Sequence, residues 1–212
     1  MSAFFKFLIS RHTDLSDALL QHIYISAAAV LVGAAIAIPL GIYLTHRPKF
    51  ANPFMAAVGI TQTIPSLVLF GLAMPVFGIG VKTGLIVLIV YSVFPILRNT
   101  YTGIREIDYK YLEAAKGMGM SNLQMLFRVQ LPVALPVILT GIRISTVYII
   151  SWATLAALIG GGGLGDLIFT GLQTYNHNMI LLGALPACIL ALSASGLMGL
   201  LERALIPRGL RK

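Results

Sequence analysis

A chain of 212 residues that is 58% hydrophobic and only 10% charged, with a mean hydropathy of +0.90, carries more apolar surface than a water-soluble fold of its size can bury. Soluble domains carry about 25% charged residues, so this composition excludes that class and points to a polytopic membrane protein. The formal net charge of +8 would suggest nucleic acid in a soluble protein, but here the cations sit at the ends of apolar runs, where topology accounts for them.

A membrane-spanning helix takes about 20 apolar residues. Five such runs are expected, at approximately 23–44, 54–77, 83–97, 137–159 and 179–201, in a single transmembrane domain covering 1–212. Lys6 and Arg11 precede the first run, but it is too long for a signal-peptide core and no cleavage site follows. Arg47 and Lys49 lie between the first two runs, and Lys82 alone between the second and third. The interval 98–136 carries Arg98, Arg105, Lys110, Lys116 and Arg128. Between the fourth and fifth runs there is only Asp166, and Arg203, Arg208, Arg211 and Lys212 follow the fifth. Cations accumulate on the cytoplasmic side, which predicts an external N-terminus, a cytoplasmic C-terminus and a cytoplasmic 98–136 loop. The N-terminal segment, where Lys6 and Arg11 stand against Asp14 and Asp17, is a mild exception.

Chemistry-bearing residues are few. Cys188 is alone, so neither a disulfide nor a thiolate cluster can form within the chain. His12, His22, His46 and His177 are scattered without metal-ligand spacing. In the second run, Gln62, Thr63 and Ser66 surround Pro65. Polar groups beside a proline in a span mark the bundle interior, either as a structural kink whose freed carbonyl Gln62 or Ser66 satisfies, or as the lining of a path. Tyr91, Tyr148 and Trp152 are the aromatics placed to meet a quaternary ammonium by cation–π contact, or to pack. Arg143, expensive inside a span, is expected to reach along its stem to the cytoplasmic interface.

Two small-residue stretches stand out. Residues 106–128 show helical spacing, and Glu113, Ala114, Ala115, Lys116, Gly117 and Gly119 form a nearly side-chain-free surface between charges. Such a surface admits close approach of another body, or belongs to an amphipathic helix on the bilayer. At 160–166, Gly160, Gly161, Gly162, Gly163, Gly165 and Asp166 permit irregular backbone between spans, as a flexible external loop or as a gate. The GxGxxG pattern there lacks the strand and helix of a dinucleotide site, and the chain contains no phosphate-binding Gly-Lys-Ser/Thr, so it does not hydrolyse ATP itself.

Glu113-Ala114-Ala115, Gly119 after three residues and Leu131-Pro132 after eleven more resemble the EAA loop of permease subunits of ABC importers, with Val129 where that family has Ile. The wider stretches Tyr91–Gly103 and Ile159–Asp166, and the Gln62–Ser66 segment, resemble the osmoprotectant branch, which imports glycine betaine, carnitine and choline. The resemblance covers nearly the whole chain. It implies an all-α integral membrane fold with a five-span type I core, in a bacterial cell membrane. It also implies that residues 113–119 form a coupling helix docking on a cytoplasmic ATPase, and it favours the reading in which Gln62, Thr63, Pro65 and Ser66 belong to the translocation path, which Tyr91 and Trp152 join in the cation–π reading. The implied partners are two ATPase subunits, a second permease chain (same or similar) and an extracytoplasmic substrate-binding protein. That protein holds the tight aromatic cage, so the permease needs only weak contacts. ATP and magnesium then belong to the ATPase, and this chain binds no cofactor. A stand-alone channel or membrane-embedded enzyme is the alternative. It would want a charged ring, a filter or paired carboxylates, whereas Asp166 and Glu202 fall at opposite membrane faces in this topology.

Overall fold

The computed structural model describes residues 2–205, and Arg208, Arg211 and Lys212 lie outside the described residues. Within them the chain is helical, in the order α1 (Ser2–Ser10), α2 (His12–Thr45), α3 (Pro48–Thr63), α4 (Ser66–Phe77), α5 (Val81–Arg105), α6 (Tyr109–Gly117), α7 (Asn122–Met125), α8 (Leu131–Ala156), α9 (Leu164–Gln173) and α10 (His177–Leu205). A π turn, Leu126–Gln130, joins α7 to α8, and a short 3-10 turn, Ala157–Ile159, ends α8.

Four continuous helical stretches are long and apolar enough to cross a membrane: α2, α5, α7 through the 3-10 turn, and α10. The helices α3 and α4, bent by 98° at a short break, make a fifth when taken as one span. The break follows from Pro65, which offers no N–H and disfavours helical geometry at the preceding residue. Ile64 is accordingly extended, at φ −74° and ψ 125°.

The helices outrun the apolar runs that mark them. α2 begins at His12 rather than near 23, because a mixed stretch continues the helix, with Thr13, Asp14, Ser16, Asp17 and Gln21 set among Leu15, Ala18, Leu19 and Leu20, and with Arg11 paired to Asp14 at 2.8 Å in its first turn. α5 continues past Leu97 to Arg105. The interval 98–136 therefore contains the end of one long helix and the start of another. Nor is 106–128 one helix: α6 stops at Gly117, and α7 starts afresh at Asn122. Hydropathy reports where a helix meets apolar surroundings, not where its hydrogen bonding ends.

The centre of the fold is the packing of α2, α5 and α8. Without a hydrophobic drive between helices in lipid, contact relies on small residues and polar bridges. Gly33 of α2 faces Ser92 of α5 so closely that a Cβ there would overlap the hydroxyl, and at Gly41 it would lie 2.8 Å from Thr100 Cβ. Gly141 does the same for α8, where a Cβ would lie 2.6 Å from Asn99 Cβ. At the junction Ser92 Oγ donates to the Ala29 carbonyl at 3.0 Å, and Ser145 Oγ donates to the Ser92 carbonyl at 3.0 Å. Around these bridges Ile25, Ala29, Leu88, Tyr91 and Ile149 form a buried core. α9 and α10 pack on one side, joined to α2 through Ala18, Leu164, Leu167 and Leu182. α10 itself stays peripheral, with only Leu182 and Gly183 of its length buried.

Candidate functional site

The broken span is held by α5. Tyr91, 1% exposed, donates its hydroxyl to the Ile64 carbonyl at 2.7 Å. Gln62 Nε2 donates to the Tyr91 carbonyl at 3.0 Å. Where Gln62 or Ser66 is expected to satisfy a carbonyl at the break, the Ile64 carbonyl is satisfied from across the bundle by Tyr91. Thr63 turns inward on its own helix, donating to the Ile60 carbonyl at 2.8 Å, while Pro65 is exposed and Ser66 half-buried.

Against the same break lies an aromatic cluster. Tyr91 and Trp152 have ring centroids 4.4 Å apart, and Tyr148 lies 5.5 Å from Trp152. Only two of the three present surface. Trp152 is half-buried and Tyr148 is 48% exposed, on a face of α8 that it shares with exposed Thr140, Ile144 and Ser151. Tyr91 has both its hydroxyl and its ring engaged, so it supports the cluster rather than lining it. Tyr148 and Trp152, one turn apart, are the pair whose ring faces could hold a cation.

The glycine stretch is packed rather than solvated. Gly161, Gly162, Gly163 and Gly165 are buried, and only Gly160 and Asp166 are exposed. Two polar residues of α2 hold it: the Gly163 N–H donates to Gln21 Oε1 at 3.1 Å, and the Leu164 N–H donates to His22 Nδ1 at 3.3 Å. With Nδ1 accepting, Nε2 carries the proton and donates to the Ile150 carbonyl at 3.0 Å. His22, buried, thus joins α2, α8 and the start of α9. The Gly80 N–H donates to the Ile159 carbonyl at 2.8 Å, tying in the turn between α4 and α5. A Cβ at Gly163 would lie 2.9 Å from His22 Nδ1, and its φ is +78°, so glycine is required twice over. Sequence reading missed Gln21 and His22. The available signal was a polar pair inside the head of a long apolar helix. Asp166, at the exposed start of α9, has its carboxyl pushed above the usual range by partial burial.

On the opposite side, α6 is bounded by its own chemistry. Asp108 caps its start, accepting from the Lys110 N–H at 3.0 Å. At its end the Met120 N–H donates to the Ala115 carbonyl at 3.1 Å and the Gly119 N–H to that of Lys116 at 2.9 Å, the paired bonds of a Schellman turn. Gly119 is the left-handed residue of that turn, with φ +74°. α7 then opens on a capping box between Ser121 and Gln124. Of the six residues singled out here, Glu113, Ala114, Lys116 and Gly117 are exposed on the helix. Ala115 is buried, and Gly119 shapes the turn.

Arg143, expected to reach along its stem to the cytoplasmic interface, is met from the side by α10. Its Nε and Nη2 donate sideways to Ser195 Oγ of α10 at 3.2 and 3.1 Å. A cavity of about 1250 Å³ adjoins it, between the end of α5, the first half of α8 and the last turns of α10.

Residues 37–208 match the family described as binding-protein-dependent transport system inner membrane component. The chain is 46% identical over 192 residues to the carnitine transport permease protein OpuCB of Listeria monocytogenes, covering 91% of this chain and 88% of that one. It is 45% identical over 207 residues to the choline transport system permease protein OpuBB of Bacillus subtilis, covering 98% and 95%. Among solved structures it resembles an inward-facing MetNI methionine ABC transporter chain with a TM-score of 0.82 at 22% identity, covering 91% and 96%.

Proposed function

Because the chain belongs to the family of binding-protein-dependent transport system inner membrane components, and is a transport subunit rather than an enzyme, we propose that it forms the path for a quaternary-ammonium compatible solute such as glycine betaine, carnitine or choline. The substrate class rests on similarity to permeases named for carnitine and choline. The mechanism rests on one observation above the others: α6 presents Glu113, Ala114, Lys116 and Gly117 outward on a helix locked at both ends.

In the reading proposed here, α2, the α3–α4 pair, α5, α8 and α10 are five spans, with the N-terminus external and the C-terminus cytoplasmic. The low side chains of Ala114 and Gly117 let a cytoplasmic ATPase groove approach the backbone of α6, while Glu113 and Lys116 set its orientation. Two ATPases closing on ATP and magnesium move two such helices. The bundles to which the helices are joined rock between inward- and outward-open states, a rigid-body change biased by the nucleotide. A second permease chain, same or similar, completes the path, and an external binding protein delivers the solute. Tyr148 and Trp152 give the solute a weak aromatic contact at the level of the broken span.

The test is ATP-dependent uptake of labelled glycine betaine, carnitine and choline into proteoliposomes containing the chain, its ATPase and its binding protein. Accumulation of at least one is expected. Ala114→Trp is expected to insert normally and lose the ATPase on purification. Normal binding and coupling in that variant would make α6 a membrane-surface helix only.

A further inference from the structure

The cavity beside Arg143 has an unusual charge pattern. Arg143 lies in the apolar body of α8, where an ionised residue is costly and marks a functional site unless it is paired. Among the described residues no carboxylate lies within 4.0 Å of it; its contact is the neutral hydroxyl of Ser195. Those bonds use Nε and Nη2. Nη1 is left beside Gly199, where even an added Cβ would sit 3.7 Å from it. Gly196, with open space around it, widens the same gap. α10 thus withholds side chains where the guanidinium has donors to spare.

The rest of the lining decides the ligand. Glu106, Asp108 and Glu202 share the cavity with Arg143 and Arg203. Glu202 follows Ser195 by two turns on the same face of α10, about 10 Å along the axis. A purely anionic ligand, such as an acidic phospholipid headgroup, meets Arg143 but faces three carboxylates. A purely cationic one finds the carboxylates but leaves Arg143 unsatisfied. A small zwitterion answers both.

We propose that this cavity is a second binding site, on the inner half of the path, for the zwitterionic members of the solute class, with Arg143 holding the carboxylate and Glu202 facing the quaternary ammonium. The inference rests on the proposed transport function and adds the residue that separates zwitterions from simple cations. Guanidinium–carboxylate bonds are charge-assisted and directional, so loss of the guanidinium falls on carboxylate-bearing solutes alone.

The experiment is equilibrium binding of labelled glycine betaine and of labelled choline to the nucleotide-free permease–ATPase complex, without the binding protein. Wild type, Arg143→Gln, Arg143→Lys and Glu202→Gln are compared. The expected result is a glycine betaine Kd raised tenfold or more by Arg143→Gln and partly restored by Arg143→Lys, with choline binding unchanged. Glu202→Gln, on the last turns of α10, is expected to weaken both and keeps the test open if Arg143→Gln fails to assemble. No glycine betaine binding to a transport-competent wild type overturns the proposal. So does an equal loss of both solutes with Arg143→Gln, or a loss confined to co-purifying acidic phospholipid. A wild type that takes up none of the solutes would instead remove the proposed function on which this rests.

Discussion

Tyr91 closes the α3 break from another helix: its hydroxyl donates to the Ile64 carbonyl at 2.7 Å, while its own carbonyl accepts from Gln62 at 3.0 Å. The two bonds are reciprocal, so α5 and the end of α3 hold each other. Tyr91→Phe keeps the ring against Trp152 and strands the Ile64 carbonyl. A buried acceptor left unmatched costs about 1–3 kcal/mol, so a lower thermal midpoint in detergent is expected. Gln62→Leu should act in the same direction, and the double variant should lose less than the sum of the two singles. Full additivity would mean the bonds do not act together.

The α2–α5 seam tolerates no added bulk. Gly41→Ala puts a methyl 2.8 Å from Thr100 Cβ, in a helix pair already bridged by Ser92. Overpacking of this kind costs about 1–3 kcal/mol. Gly71, by contrast, is helical with open space around it, so Gly71→Ala should leave the melting midpoint unlowered or slightly raised. Equal melting curves for the two variants would show that the seam yields.

His22 sets the stability of the glycine stretch. His22→Ala leaves the Leu164 N–H and the Ile150 carbonyl without their partner and opens a void between three helices. Hydrogen exchange at residues 160–164 should quicken by at least tenfold, with the centre of α5 unaffected. Uniform quickening would assign His22 to the global fold instead.

The two glycines of the α6 end divide into different roles. Gly119 is left-handed, where an L-residue costs about 1 kcal/mol or more, so Gly119→Ala should loosen the turn. Gly117 is helical and open on its surface, so Gly117→Ala should firm the helix by about 0.5–1 kcal/mol. Limited proteolysis of the detergent-solubilised protein should cleave the first variant faster than wild type and the second more slowly. The reverse order would contradict the Schellman turn.

Asp166 supplies a pH dependence with a definite sign. Burial holds its folded pKa above the ordinary carboxylate value, so the folded state retains a proton that the unfolded state has released. The favourable contribution is present below the unfolded pKa and is lost as pH rises through the folded one. Asp166→Asn should therefore flatten a decline in stability that wild type shows as pH rises from the ordinary carboxylate pKa. Parallel pH profiles for the two proteins would refute this.

Much of this architecture was legible because it is written in apolar runs and in a long, specific spacing. The EAA pattern located the α6 segment, and Pro65 located the break. What stayed hidden was lateral. No periodicity announces that Tyr91 supports the break, that Arg143 turns toward Ser195, or that Gln21 and His22 clasp a glycine stretch well over a hundred residues away. The turn-shaping role of Gly119 stayed hidden for a related reason. Its place in the pattern was plain, but φ is a property of the folded turn, and close approach and left-handed backbone both select glycine. Tyr148, named beside Trp152 as a candidate aromatic, gained weight only when the two rings and the exposed face of α8 could be seen together.

The π turn at Leu126–Gln130 turns a spacing into an angle. One residue of an α-helix subtends about 100°, and a π turn takes up roughly one residue more than the helix it interrupts. Everything beyond it on α8, including Arg143, Tyr148 and Trp152, is phased to that offset. Removing one residue from 126–130 would give a straighter and locally more regular helix. It would also swing the aromatic pair away from the broken span and the guanidinium away from its cavity. The interval between Gly119 and Leu131 therefore sets the rotational phase of the α8 face that carries Arg143, Tyr148 and Trp152 relative to the α7 start.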